Sequence, residues 1–126
     1  MSQKVAIVTF TEHQTPVDRG RMAHVLNLAS ALKEQGTEFE LVFAGKAVEW
    51  LPAFLTKERS EQHPFIRNYG EHFDVVREHV ITCNFCNKRF NTYETVSRAG
   101  VKIVGEGSQH MTLARYVAEG WQIITI

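Results

Sequence analysis

Short apolar runs along the chain alternate with segments whose apolar residues return every three or four positions, the rhythm of strands punctuated by helices. Residues 4–10 (KVAIVTF) are β-branched and almost continuously apolar, as a strand covered on both faces must be. In the polar stretch that follows, Pro16 disfavours helix at Thr15 and Asp18 offers an N-cap, so a helix is predicted to begin near Asp18. Met22, Val25, Leu26, Leu28, Ala29 and Leu32 mark its buried face, and Gly36 its stop. Residues 38–44 read as a second strand closed by Gly45, and 46–55 as a short irregular helix interrupted by Pro52. The charged segment 56–63 reads as a surface loop. Pro64 then opens a helix through Arg77, weakened at Gly70. Residues 79–83 (HVITC) give a third strand, 84–99 one helix ended by Gly100, and 101–104 a fourth strand. A turn at 105–108, a helix over 109–119 and a last strand at 121–126 complete the series.

Strands separated by helix-length segments do not pair as tight hairpins. They predict an α/β fold: a five-stranded, mainly parallel sheet, right-handed crossovers, and helices on both faces. Reactive groups in such folds gather at the carboxyl ends of the strands. The loop 11–17, the turn at Ala44-Gly45, the Cys83 region and the turn 105–108 are therefore expected along one edge.

The whole chain, 1–126, reads as a single domain: 126 residues with 44% hydrophobic and 22% charged content suit one ordinary globular core, without repeats or a dividing linker. Lys and Arg balance Asp and Glu at 14 each, so the basic footprint of a general nucleic-acid binder or polybasic membrane binder is missing. No apolar run approaches the roughly 20 residues of a membrane span, and residues 1–4 lead into the first strand without a signal-peptide core. The expected compartment is the cytoplasm.

Two cysteines, Cys83 and Cys86, make no disulfide framework, and in a reducing compartment a close pair reads as redox, catalytic or metal chemistry. Cys83 falls where strand gives way to helix, near unpaired N–H groups that favour a thiolate, with Lys88 and Arg89 nearby. The structural alternative is a pair of small apolar residues filling that junction. The CxxC spacing allows dithiol exchange, zinc ligation, or sulfur transfer through a persulfide. For zinc the spacing supplies no second pair, since His63, His72, His79 and His110 show no paired ligand pattern. Glu12 and His13 lie just beyond the first strand, and His13 is a candidate to exchange a proton with Cys83. Gly105-Glu106-Gly107 lacks the rest of a dinucleotide loop, and no phosphate-loop lysine is present. Ser108 and His110 are candidates to line the edge that holds Cys83. Trp50, Phe54, Phe65, Tyr69 and Phe73, at helical spacing, are expected to pack onto the sheet.

The opening KVAIVTF, the helix ending in ALKEQG, the strand ELVFAGKAV, the strand-end cysteine of HVITC and the closing GSQHMTLARYVAEGWQIITI together resemble the DsrE/DsrF-like family of small sulfur-relay proteins. The resemblance covers nearly the whole chain. It implies a three-layer α/β/α domain with a five-stranded parallel sheet, homo- or hetero-oligomeric assembly, and a cysteine that carries persulfide sulfur between partner proteins; the transfer expected here, from donor to acceptor protein, uses no bound organic cofactor. Cys83 falls on the position of the sulfur-accepting cysteine, whereas Cys86 and the longer segment 56–77 depart from the family pattern. The expected activity is sulfur transfer on Cys83, with Cys86 beside it as packing or as a second thiol; a CxxC dithiol protein and a non-catalytic binding or assembly module are the alternatives.

Overall fold

The computed structural model describes residues 3–105 and 110–126. Five strands, β1 (Lys4–Thr9), β2 (Glu38–Phe43), β3 (Val80–Cys83), β4 (Lys102–Val104) and β5 (Gln122–Thr125), form one sheet in the order β4-β3-β2-β1-β5. Every pairing is parallel. Among the described residues six α-helices accompany them: α1 (Pro16–Glu34), α2 (Trp50–Leu55), α3 (Pro64–Val76), α4 (Asn84–Arg89), α5 (Tyr93–Arg98) and α6 (Ala114–Ala118).

Successive side chains of a strand point to opposite faces, and the two faces differ here in depth. Val5, Ile7, Phe39, Leu41, Phe43 and Val80 join Met22, Val25, Leu26, Leu51, Phe54, Phe73 and Val96 from the helices in the main core. Its centre is a pile of rings, with Phe54 and Phe73 stacked at 4.9 Å and Trp50 over Phe54 at 5.7 Å, so the aromatic series is sheet packing as expected. On the opposite face Ala6, Val8, Val42 and Ala44 meet Tyr116 of α6 and Trp121. The crossovers from β1 to β4 all step one way across the sheet and the last steps back, which puts its helix on the other face. Glu40, on that second face, accepts hydrogen bonds from Tyr116 Oη at 3.1 Å and Arg115 Nη2 at 2.9 Å.

Several boundaries move for local reasons. Helix α1 begins at Pro16, not Asp18: proline costs no hydrogen bond in a first turn, Thr15 is the N-cap, and Asp18 closes a capping box. The expected helix over 84–99 is two helices, α4 and α5. Asn91 adopts φ +58 between them, and Thr92 N donates back to Asn87 O at 2.9 Å. The helix expected over 109–119 is only Ala114–Ala118 among the described residues, with 110–113 non-helical; residues 106–108 of the expected turn lie outside the described residues. Segment 56–63 contains a short 3-10 turn at Arg59–Glu61 that sends Arg59 onto Asp74 and the Phe54 carbonyl. That explains Gly70: a Cβ there would meet Arg59 Cδ at 2.7 Å, so α3 runs through a glycine that leaves room for the arginine.

Candidate functional site

The parallel register sends all five chain segments out at one edge, and β3 delivers Cys83 there as its last residue. Cys83 is also the N-cap of α4, although its sulfur makes no capping bond. One turn later, Cys86 comes back over the same spot. Both are free thiols and both are buried, at 1% and 4% exposure, packed with Val48.

A polar clasp fixes this junction from below. Asn87 donates from Nδ2 to the Cys83 carbonyl at 2.7 Å and to Thr82 Oγ1 at 2.9 Å, while its Oδ1 accepts from Thr92 Oγ1 at 2.7 Å. Thr82 Oγ1 in turn donates its own hydrogen bond to the Phe43 carbonyl at 2.8 Å. Asn87, Thr82 and Thr92 are all buried, so each of these bonds replaces water that has been excluded. The clasp sets the angle between β3 and α4, and with it the placement of both sulfurs.

Gly45 supplies the next part. It stands just after β2 at φ +57, a left-handed conformation that glycine adopts without penalty. In that pose its N–H points at Cys86 Sγ, 3.2 Å away. A Cβ on Gly45 would sit 3.3 Å from Phe10 Cδ1, so the turn is also closely packed.

The third component is His110. Its Nδ1 lies 3.6 Å from Cys83 Sγ and 3.6 Å from Cys86 Sγ, and no two of these three atoms are more than 4.8 Å apart. Phe85 holds the imidazole from the side, ring centres 4.0 Å apart. His110 is exposed while the two cysteines are buried. The three border a cavity of about 230 Å³, otherwise lined by Phe10, Ala44, Gly45, Met111 and Leu113. Phe10 remains 51% exposed at that cavity.

Burial pushes the Cys86 thiol up from 9.0 to about 11, reinforced by the neighbouring Cys83 and opposed by the Gly45 N–H. Cys86 is therefore a protonated thiol at neutral pH. Desolvation is the largest cause of that rise and outweighs the Gly45 N–H.

His13 is placed elsewhere. Its Nε2 is 3.3 Å from Glu49 Oε1, and its ring meets Trp50 edge-on at 6.1 Å. It lines a separate pocket of about 170 Å³ with Arg19, Glu49, His63 and Phe65. Trp50 Nε1 donates to the Thr11 and Glu12 carbonyls at 3.0 and 3.1 Å, which holds the whole loop on that side. The imidazole that meets the thiols is thus His110, 24 residues beyond Cys86. A larger open depression of about 490 Å³, lined by Lys33, Asp74, Arg77, Glu78 and Lys102 among others, holds neither cysteine. It lies at the amino-terminal ends of β3 and β4, the edge opposite the one where parallel sheets place their chemistry.

Two of the site's supports were not recognised from the sequence. Asn87 carries no motif, and Gly45 was visible only as the residue that closes a strand. His110 was a candidate for the edge, but nothing in its spacing coupled it to the cysteines.

Comparison with known proteins agrees with this architecture. The uncharacterized protein MJ0733 of Methanocaldococcus jannaschii is 31% identical over 124 residues, covering 98% of this chain and 95% of its own. A conserved protein of unknown function from Bacteroides thetaiotaomicron, BT1422, superposes with a TM-score of 0.65 at 14% identity, over 98% of this chain and 95% of that one. The ychN protein from E. coli gives 0.63 at 18% identity over 100% of both chains. At those identities the two structures speak for the fold. With residues 3–126 matching the family's sequence pattern, the chain belongs to the DsrE/DsrF-like family.

Proposed function

We propose that this protein relays sulfane sulfur on Cys83 between a donor persulfide and an acceptor thiol of partner proteins. The observation that carries the reading is the 3.6 Å approach of His110 Nδ1 to Cys83 Sγ at a cavity on the sheet's carboxyl edge. Membership of a family associated with sulfur relay supports it.

The chemistry needs a nucleophile, a place for its proton, and protection of the product. With its own proton on Nε2, His110 presents a lone pair at Nδ1 and takes the Cys83 proton. The Cys83 thiolate attacks the outer sulfur of the donor persulfide; the new S–S bond forms as the donor's own S–S bond breaks, and the donor leaves as a thiolate that recovers a proton from His110. The net exchange is thiol plus persulfide to persulfide plus thiol, with no external oxidant or reductant. Transfer to the acceptor is the same step in reverse. Apolar walls of Phe10, Ala44, Met111 and Leu113 keep bulk water from the outer sulfur while it is held.

Cys86 is the residue that would divert this cycle. Attack by its sulfur on the inner sulfur of Cys83 persulfide would expel sulfide and leave a Cys83–Cys86 disulfide, and the two sulfurs lie within 4.8 Å. Its elevated pKa opposes that attack, because the thiol is the weaker nucleophile. We assign Cys86 to shaping the cavity.

Mass spectrometry after exposure to a persulfide donor tests the assignment. One added sulfur is expected in the wild type and in Cys86→Ser, and none in Cys83→Ser. An adduct that needs both cysteines would establish dithiol exchange instead. If neither cysteine reacts with donor or alkylating agent until the protein is unfolded, the site is packing and the protein is a binding module.

A further inference from the structure

The geometry points to a zinc site: Cys83 Sγ, Cys86 Sγ and His110 Nδ1 are arranged to hold one zinc ion, with the fourth position open to the cavity.

Zinc binds thiolate sulfur at about 2.3 Å and imidazole nitrogen at about 2.0–2.1 Å, tetrahedrally, which separates a sulfur and a nitrogen on one ion by about 3.6 Å. The two sulfur–nitrogen distances are 3.6 and 3.6 Å. The donor set also suits this metal: two soft sulfurs and an imidazole, without the carboxylate and carbonyl oxygens that select calcium or magnesium. Cys83 and Cys86 are separated by two residues within C-x-x-C, the spacing by which one helix start offers two sulfurs to one ion. An outer layer is present as well. The Gly45 N–H aimed at Cys86 Sγ at 3.2 Å is the donor a metal-bound thiolate accepts, and the Asn87 clasp holds the backbone that presents both sulfurs. The ion has an entry route, since His110 is exposed and the 230 Å³ cavity adjoins all three ligands.

Binding balances as one zinc ion plus two thiols giving a dithiolate complex and two protons released to solvent; no electron moves. Three protein ligands leave one place for water or for an incoming thiol. Resting on the proposed relay, one consequence follows: zinc and sulfane sulfur compete for Cys83, so the metal-bound protein is closed to the donor.

Reduced, chelator-treated protein titrated with zinc against a chromogenic indicator should take up one equivalent. Cobalt(II) in its place should give the intense visible bands of a tetrahedral site and the sulfur-to-metal absorption of a thiolate complex. Cys83→Ser, Cys86→Ser and His110→Ala should each weaken binding at least ~10-fold, and His13→Ala should leave it unchanged. Should a cysteine variant fail to fold, protection of the wild-type thiols decides: zinc should slow alkylation of both. A wild type that retains no zinc, gives only the weak spectrum of hydrated cobalt, or is alkylated equally with and without zinc overturns the site. Zinc binding without sulfur uptake would end the relay alone, and sulfur uptake without zinc binding would end the zinc site alone.

Discussion

Two small pockets open on the same edge of the sheet and both hold histidine, yet in only one does an imidazole meet the cysteines. In the pocket of about 170 Å³, His13 is engaged by Glu49 and set against Trp50, with Arg19 and His63 around it. In the cavity of about 230 Å³, His110 faces two buried sulfurs across apolar walls. The first is a recess of mixed lining, Trp50, Phe65 and Ile66 included, whose imidazole already has a carboxylate partner; the second brings an imidazole nitrogen to two thiols. Proximity to a strand end does not distinguish them. What distinguishes them is which group the ring nitrogen meets.

The sharpest way to break that contrast is to remove each ring in turn. His110→Ala should slow sulfur uptake by roughly 10²-fold, the lower bound for loss of a positioned proton acceptor, whereas His13→Ala should leave the rate unchanged. Stopped-flow or quenched mass spectrometry with a persulfide donor reads both. Equal losses would erase the distinction between the pockets.

Next in size is the clasp beneath the cysteines. Asn87→Leu removes the donor to the Cys83 carbonyl and strands buried oxygens, at a cost of about 1–3 kcal/mol measured by chemical denaturation. A comparable variant in the other pocket, Glu49→Gln, keeps a partner for His13 in a half-exposed pair and should change stability little. Gly45→Ala should cost about 1–2 kcal/mol for the left-handed backbone and should also slow sulfur uptake by displacing the N–H from Cys86.

The smallest effect is a pH dependence. Burial raises the Cys86 pKa from 9.0 to about 11. Below that window the thiol is protonated in both folded and unfolded chains and its contribution is complete. Within it the unfolded chain gives up the proton first, so the folded state, which binds more protons, loses stability as pH rises. Metal-free wild type should therefore lose more stability across this window than Cys86→Ala. Parallel curves would show that the thiol is not desolvated.

The carboxyl-edge cysteines were legible because a β-branched run ending in Cys83 is a local pattern, and the sheet's parallel pairing follows from helix-length connections. The alternation of strand and helix along the chain was legible for the same reason, whereas the strand order and the face each helix covers depend on long-range pairing that no local pattern carries. His110 was not, because it enters from the segment between β4 and β5 and reaches the thiols only when the last crossover returns over the second face. The division of 84–99 into two helices was also hidden: its apolar spacing suits one helix, and the break comes from Asn91 in a left-handed conformation and from Thr92 bonding back to Asn87. Pro16 keeps Thr15 out of the helix as expected, but the cap is Thr15 and not Asp18, so the helix starts two residues early at Pro16, where a first turn does not use the missing N–H.

The most direct test follows an isotope-labelled outer sulfur from donor persulfide to protein and then to an added acceptor thiol, with peptide mapping at each stage. The relay predicts label on the Cys83 peptide first, then on the acceptor, with Cys83 recovered as a free thiol. Label released as sulfide together with a Cys83–Cys86 disulfide, or label that never reaches Cys83, would contradict it.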